Sequence, residues 1–266
     1  MQCAAQDCLG AAVPGRTDAG ETMVLLHGSA ASAAMWRPWK ERLAPGYRVV
    51  APELAENVPS LGDEAKRVAA AIPCCERRVH LVGYSYGGAV ALRFALDNPV
   101  RVESLTLIEP VFFAALRYAG MEREFARFRQ LRDEFEALLG SAGPEEAVRH
   151  FMSFWTGADS WSALRPRQQA ALVASAPKIA SDFRAAFAFD PGPQPLRALA
   201  ARTLIVRGDA SPVPMQTLVD SLHELMPGSA HALVRGANHL APFTHCAEVV
   251  SLIGHHLHAV LERGLR

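Results

Sequence analysis

The chain is nearly devoid of lysine: of its 27 cationic side chains only Lys40, Lys66 and Lys178 are lysines, and the rest are arginine. With the abundant alanine, this reads as coding bias toward G and C and not as a binding signal. Neither sign of charge is in excess, since 27 acidic residues balance the 27 basic ones. No run of like charge builds a basic stripe able to release counterions, which excludes nucleic acid as the expected partner. Cysteine is scarce. Cys3, Cys8, the adjacent Cys74 and Cys75, and Cys246 are odd in number and show no recurring spacing, which excludes a disulfide framework. No CxxC is matched by a second half elsewhere, so no zinc site is expected. No apolar run reaches the roughly 18 to 20 residues of a membrane helix. Met1 to Gly10 carries neither the basic nor the apolar region of a signal peptide. A reducing cytoplasm is the expected location, with a small molecule as the partner, no membrane span, no metal and no cofactor.

What the chain does have is apolar mass. At 266 residues and 50% hydrophobic composition it can bury a substantial core, which excludes disorder and fibrous repeats. Short apolar runs read as strands at Thr22 to Leu26, Tyr47 to Ala51, Val79 to Gly83, Val102 to Ile108, Thr203 to Arg207 and His231 to Val234. Between them, helical periodicity covers Met35 to Leu43, Asp63 to Ile72, Gly87 to Asn98, Met215 to Leu225 and Ala247 to about Leu261. Nearly all-apolar strands alternating with helices predict an α/β fold, with a mostly parallel sheet buried on both faces. From Phe113 to Phe189 the rhythm is helical only, over Glu122 to Leu139, Pro144 to Trp155, Pro166 to Ala176 and Lys178 to Phe189, and it ends in the breaker cluster from Asp190 to Pro195. The predicted organisation is a core of residues 1–110 and 196–266, split by a helical insertion of residues 111–195.

One constellation carries chemistry. Gly83-Tyr84-Ser85-Tyr86-Gly87 is G-x-S-x-G, set directly after a strand and directly before a helix. Glycine on each side of the serine permits a strained turn that lifts the hydroxyl above the sheet edge, and the following helix points its amide end at the same place. A neutral hydroxyl is a poor nucleophile and needs a base. Of ten histidines, His239 is preferred because it follows a strand and a glycine-bearing loop that would hold it at that edge. His245 is the reserve, and His27 is expected to brace its loop.

Leu25-Leu26-His27-Gly28-Ser29 followed by Trp36, then Gly83 to Gly88, then Gly236-Ala237-Asn238-His239 resemble in order and spacing the H-G loop, nucleophile elbow and late G-x-x-H of the α/β-hydrolase family. The resemblance runs over nearly the whole chain. It implies that residues 111–195 form a helical cap or lid, and that the amides of Ser29 and Tyr86 form the oxyanion hole. It also implies a triad acid, which holds the histidine tautomer and stabilises the imidazolium. Here the chain departs from the commonest pattern. Gly208-Asp209-Ala210-Ser211-Pro212 places Ser211 where that aspartate is usual, with Asp209 two residues early. Some branches of the family take the acid from the end of the preceding strand, which here is Glu109. Glu109 is therefore the preferred acid and Asp209 the alternative.

Trp36, Tyr84, Phe112, Phe154 and Trp155, together with Tyr86, Phe113, Phe151 and Trp161, are candidates to line an apolar pocket, although aromatics in such a segment commonly serve packing. Cys74 and Cys75 are expected to be buried or idle thiols. The activity implied is hydrolysis of a small to medium apolar ester, thioester or lactone through an acyl-serine intermediate. Serine at position 85 argues against dehalogenation, which needs a carboxylate there. Carbon–carbon bond hydrolysis and perhydrolysis use the same parts, and a non-catalytic ligand receptor on the same fold is the alternative from another class.

Overall fold

A computed structural model describes residues 21–43, 47–157 and 160–264. Cys3, Cys8 and the stretch from Met1 to Gly10 lie outside the described residues. The strands are β1 (Thr22–Leu26), β2 (Arg48–Val50), β3 (Val79–Tyr84), β4 (Val102–Ile108), β5 (Arg202–Gly208) and β6 (Ala230–Val234). The helices are α1 (Arg37–Leu43), α2 (Leu61–Ala71), α3 (Tyr86–Asp97), α4 (Ala114–Tyr118), α5 (Glu122–Ser141), α6 (Pro144–Thr156), α7 (Pro166–Ala174), α8 (Ala176–Phe187), α9 (Pro193–Arg197), α10 (Val213–Leu225), α11 (Ala241–Thr244) and α12 (Cys246–Gly264). Among the described residues no helix is long and apolar enough to cross a membrane.

All six strands run parallel in the order β2-β1-β3-β4-β5-β6. The central strands are apolar throughout because both faces of the sheet are covered. In β1, Val24 and Leu26 enter the core shared with α2 and α3, whereas Met23 and Leu25 enter the core under Trp36, Trp39 and α12. The chain moves from β1 outward to β2 and then returns to β3 on the other side of β1. That reversal opens a crevice at the carboxyl ends of β1 and β3, the place where open α/β sheets bind ligands. The register is level there: Leu26 pairs with Gly83, Tyr84 with Ile108, and Ile108 with Val206. The residues that follow β1, β3, β4 and β5 therefore emerge at one edge, and these are His27, Ser85, Glu109 and Asp209.

Between β4 and β5 the described residues hold α4 to α9 and no strand. Phe128, Leu131 and Phe135 recur at helical spacing on α5 and are buried. They meet an aromatic layer in which Phe113 stacks on Phe187 at 4.2 Å and Phe128 lies 5.6 Å from Phe154. The breaker cluster is not a plain loop. Gly192, at φ +78°, turns the chain into α9 with Pro193 at its first position, where the missing N–H costs nothing. The predicted helix from Met35 is a 3-10 turn over Ala33–Trp36 followed by α1. Cys74 and Cys75 are exposed, in the turn after α2, because Pro73 ends the buried stretch before them; the expectation of buried thiols is corrected here.

Candidate active site

Two backbone strains mark the centre. Among the described residues only Ser85 (φ +54°) and Glu109 (φ +44°) adopt positive φ without being glycine. Such strain persists where the surroundings over-determine it, and it clusters at functional sites. At the turn after β3, a Cβ on Gly83 would lie 2.3 Å from the Gly87 carbonyl oxygen, and one on Gly87 would lie 2.3 Å from that of Leu26. Only hydrogen at both positions lets α3 leave so close to β1 and β3. The Ser85 amide donates to Ile108 O at 2.9 Å, and Ser85 O accepts from the amides of Gly88, Ala89 and Val111. This wiring fixes the backbone and leaves the hydroxyl to face the crevice.

Ser85 Oγ is 3.1 Å from His239 Nε2, and His239 Nδ1 is 2.7 Å from Glu109 Oε2. With Nδ1–H donating to the carboxylate, Nε2 is free to accept from the serine hydroxyl. Glu109 is fully buried, His239 is 5% exposed and Ser85 8%. The other oxygen of Glu109 accepts from the Gly208 amide at 2.8 Å and from the Ser211 hydroxyl. Ser211, at the usual aspartate position, thus donates to the carboxylate that reaches in from β4. An aspartate in its place would set two like charges against each other.

Asp209 lies elsewhere. It is exposed, and its Oδ1 accepts from the Gly236 amide at 2.6 Å. Gly236 is at φ +70°, the Ala210 amide donates to Ala237 O at 2.9 Å, and a Cβ on Gly208 would lie 1.9 Å from that same oxygen. Asp209 and Gly208 thereby hold the loop that carries His239, without touching its ring.

His27 bridges two loops, with Nδ1 on Gly28 O at 2.8 Å and Nε2 accepting from the Leu54 amide at 3.0 Å. Burial, first of all, holds its pKa below the ordinary 6.5. Between that lowered value and 6.5 the unfolded chain binds a proton that the folded chain refuses. The contribution is therefore complete above pH 6.5 and is lost as pH falls. Urea midpoints measured from pH 7 to pH 5 should fall less steeply in His27→Gln than in the wild type; equal slopes would remove His27 from this role. His245 closes α11 with Nδ1 on Thr244 Oγ1 at 2.9 Å, and the histidine bonded to Ser85 is His239 instead.

Tyr86 opens α3, where the first amides have no acceptor within the helix, and Ser29 follows the Gly28 turn beside it. Two spaces meet at Ser85. The larger, about 410 Å³, is lined by Tyr84, Phe151, Trp155, Leu172, His239 and Phe243 among others. The smaller, about 20 Å³, is lined by Ser29, Tyr86, Phe113, Phe151, Trp155 and Asp182 among others. Trp155 of α6 stacks on the His239 ring at 4.0 Å with 23° between planes. Tyr84 also lies against it at 5.2 Å, and burial with the nearby Glu109 charge pushes the Tyr84 phenol pKa far up, so it stays neutral.

Four aromatic expectations are corrected, and the first of them, Trp161, is buried in the core and lines neither space. Trp36 is fully buried, edge-on to Trp39 at 4.7 Å, because the 3-10 turn directs it under the sheet with Met23 and Leu25. Phe112 is fully buried against Phe189 at 5.2 Å. Phe154 precedes Trp155 on α6, so its ring points about 100° around the helix, toward α5. None of the four lines either space. Sequence reasoning missed Asp182 and Lys178 of α8, a buried ion pair at 2.8 Å. Their i, i+4 spacing was the available signal. Among the described residues no group of three or more His, Cys, Asp or Glu is arranged to hold a metal ion.

This fold and site define a class, and the comparisons agree. The sequence model of the alpha/beta hydrolase family matches residues 23–252. The chain is 28% identical over 263 residues to the pimeloyl-[acyl-carrier protein] methyl ester esterase of Aeromonas hydrophila subsp. hydrophila, covering 89% of this chain and 95% of that one. It is 26% identical over 260 residues to the 2-hydroxymuconate semialdehyde hydrolase of Pseudomonas sp. strain CF600, covering 89% and 86%. The fold matches that of MenH from S. aureus with a TM-score of 0.73 at 16% identity, over 94% of this chain and 97% of that one. The chain belongs to the alpha/beta hydrolase family and is a hydrolase.

Proposed function

We propose that this hydrolase cleaves a small to medium apolar ester, thioester or lactone through an acyl intermediate on Ser85. The observation that carries the reading is the hydrogen-bonded series from Glu109 through His239 to Ser85. Ser85 Oγ attacks the carbonyl carbon while its proton passes to His239 Nε2. The carbonyl π bond opens, and the resulting oxyanion is held by the amides of Ser29 and Tyr86. As the carbonyl re-forms, the bond to the leaving group breaks and His239 returns the proton to the leaving oxygen or sulfur. Water, deprotonated by His239, then releases the acid from Ser85 by the same steps. Glu109 remains ionised throughout, orienting the ring and stabilising its charged form.

The larger space supports an apolar leaving group, because among the described residues its lining holds no lysine, arginine or carboxylate. Carbon–carbon bond hydrolysis would use the same groups; the uncharged lining favours the ester. A fluorophosphonate probe on the purified protein tests the reading: labelling of Ser85 with loss of esterase activity is expected, and an inert serine would contradict it.

Residues 111–195 act in this reading as a cap over the site. The support is Trp155, which lies within the segment and stacks on His239. Limited proteolysis within the segment should slow once a phosphonate occupies Ser85. Unchanged cleavage would count against a ligand-gated cap.

A further inference from the structure

The two amides that hold the oxyanion in the proposed mechanism sit on unequal backbone. Tyr86 opens α3, so its amide is set by the Ser85 turn and by the helix behind it. Ser29 lies outside helix and strand, in a turn closed by the Ala31 amide on Gly28 O at 3.2 Å. Among the described residues no backbone hydrogen bond holds Ser29 itself. A donor stabilises an oxyanion best when it is already in place before the charge develops, so the Ser29 turn needs support from elsewhere. Its side chain supplies that support. The Ser29 hydroxyl donates to Asp182 of α8, in the segment read as a cap.

Asp182 is 2% exposed, and its oxygens accept from Lys178 Nζ at 3.0 and 2.8 Å, from Ser29 and from the Tyr86 hydroxyl. A carboxylate has about four acceptor positions, so all are taken. Lys178 is committed too, with Ala55 O at 3.1 Å and the Tyr86 ring centre 4.8 Å from its ammonium. Burial, offset by Lys178 and Ser29, raises the Asp182 pKa to about 6, so the acceptor is ionised at neutral pH. The helix that carries it is anchored: Ser181 Oγ donates to Asn57 Oδ1 at 3.0 Å and accepts from the Val58 amide at 3.4 Å, and most of α8 is buried. Of the three residues bonded to Asp182, Lys178 and Tyr86 stand on helices, and only Ser29 lacks such backing. The space beside them, about 20 Å³, has room for about one water, so Asp182 acts on Ser29 and not on a substrate. We propose that Asp182 is a positioning residue, through which the cap segment holds the Ser29 turn so that the Ser29 amide points at the oxyanion over Ser85. This inference rests on the serine-hydrolase reading above.

Two variants test it. Ser29→Ala keeps the amide and removes the hydroxyl that Asp182 holds, whereas Lys178→Met/Asp182→Leu removes the holder and leaves no lone buried charge. Each should lower kcat for an aryl ester about ten- to a hundredfold, less than the loss of a whole oxyanion donor, with KM kept within about twofold. Because both break one contact, the triple variant should cost no more than the worse of the two. A trifluoromethyl ketone, whose adduct on Ser85 carries the oxyanion, should bind more weakly in proportion to the fall in kcat/KM. Fluorophosphonate titration counts the working sites in each variant, so a misfolded fraction is not read as lost catalysis. Should the charge-free pair fail to fold, Ser29→Ala carries the kcat and inhibitor readouts alone. A kcat within about threefold of wild type in Ser29→Ala, losses that multiply in the triple variant, or a rise in KM in place of the fall in kcat overturns the inference. Wild-type protein that neither labels nor turns over an ester removes the hydrolase reading with it.

Discussion

Ser85→Ala is expected to lower turnover of short-chain aryl esters by about a thousandfold or more while leaving the fold intact. In the proposed mechanism the hydroxyl is the attacking atom, so its loss would remove the acyl intermediate and with it the purpose of the proton held between His239 and Glu109. Groups that act as a unit are lost together, which is why a single deletion carries nearly the full cost. The fold should survive because among the described residues the serine side chain bonds only His239, whereas the turn is held by the Ser85 backbone and by Gly83 and Gly87. Circular dichroism and a melting curve check the second half of this expectation. A variant that turns over at near wild-type rate would remove Ser85 from the mechanism.

Glu109→Gln should be nearly as damaging, with kcat falling by roughly three to four orders of magnitude, as loss of a triad acid can do. Glutamine keeps the shape but can present its NH₂ to His239 Nδ1, which favours the tautomer that places the proton on Nε2. A proton there blocks acceptance from Ser85. The three donors now on Glu109, from His239, Gly208 and Ser211, explain why the charge matters beyond the ring it touches. Asp209→Asn, by contrast, should cost about tenfold or less, through the loop it braces at Gly236. The reverse ranking, Asp209 crippling and Glu109 mild, would move the acid to the later loop.

The sheet was legible because its strands are short apolar runs cut off by breakers. Thr22 to Leu26 and Val102 to Ile108 are predicted with the bounds observed. The short helices α4, α9 and α11 were not legible: each spans a turn or so, too little for periodicity, and two of them open on prolines that read equally as loop. At the site, a glycine-bearing loop after a strand pointed to His239, whereas Glu109 was preferred through the family resemblance, because Ser211 stands at the usual aspartate position. The part played by Ser211 was invisible, because the donor to Glu109 lies 102 residues further along the chain. Trp36 and Phe112 could not be told from pocket aromatics by type, since only the exit direction of a turn decides whether a ring faces the crevice or the core. Asp182 and Lys178 were hidden for a related reason. An i, i+4 ion pair on a helix normally faces water, and α8 buries its pair only because that face packs on the loop carrying Ala55 and Asn57.

The central claim is that an acyl group rests on Ser85 during turnover. Rapid acid quenching of the protein with an aryl ester, followed by peptide mass mapping, tests it most directly. The mass of the acyl group should appear on the peptide that contains Ser85, form in a burst with release of the aryl alcohol, and be absent from Ser85→Ala. Turnover without acylation at that residue, or acyl transfer to a different side chain at the rate of turnover, would contradict the account.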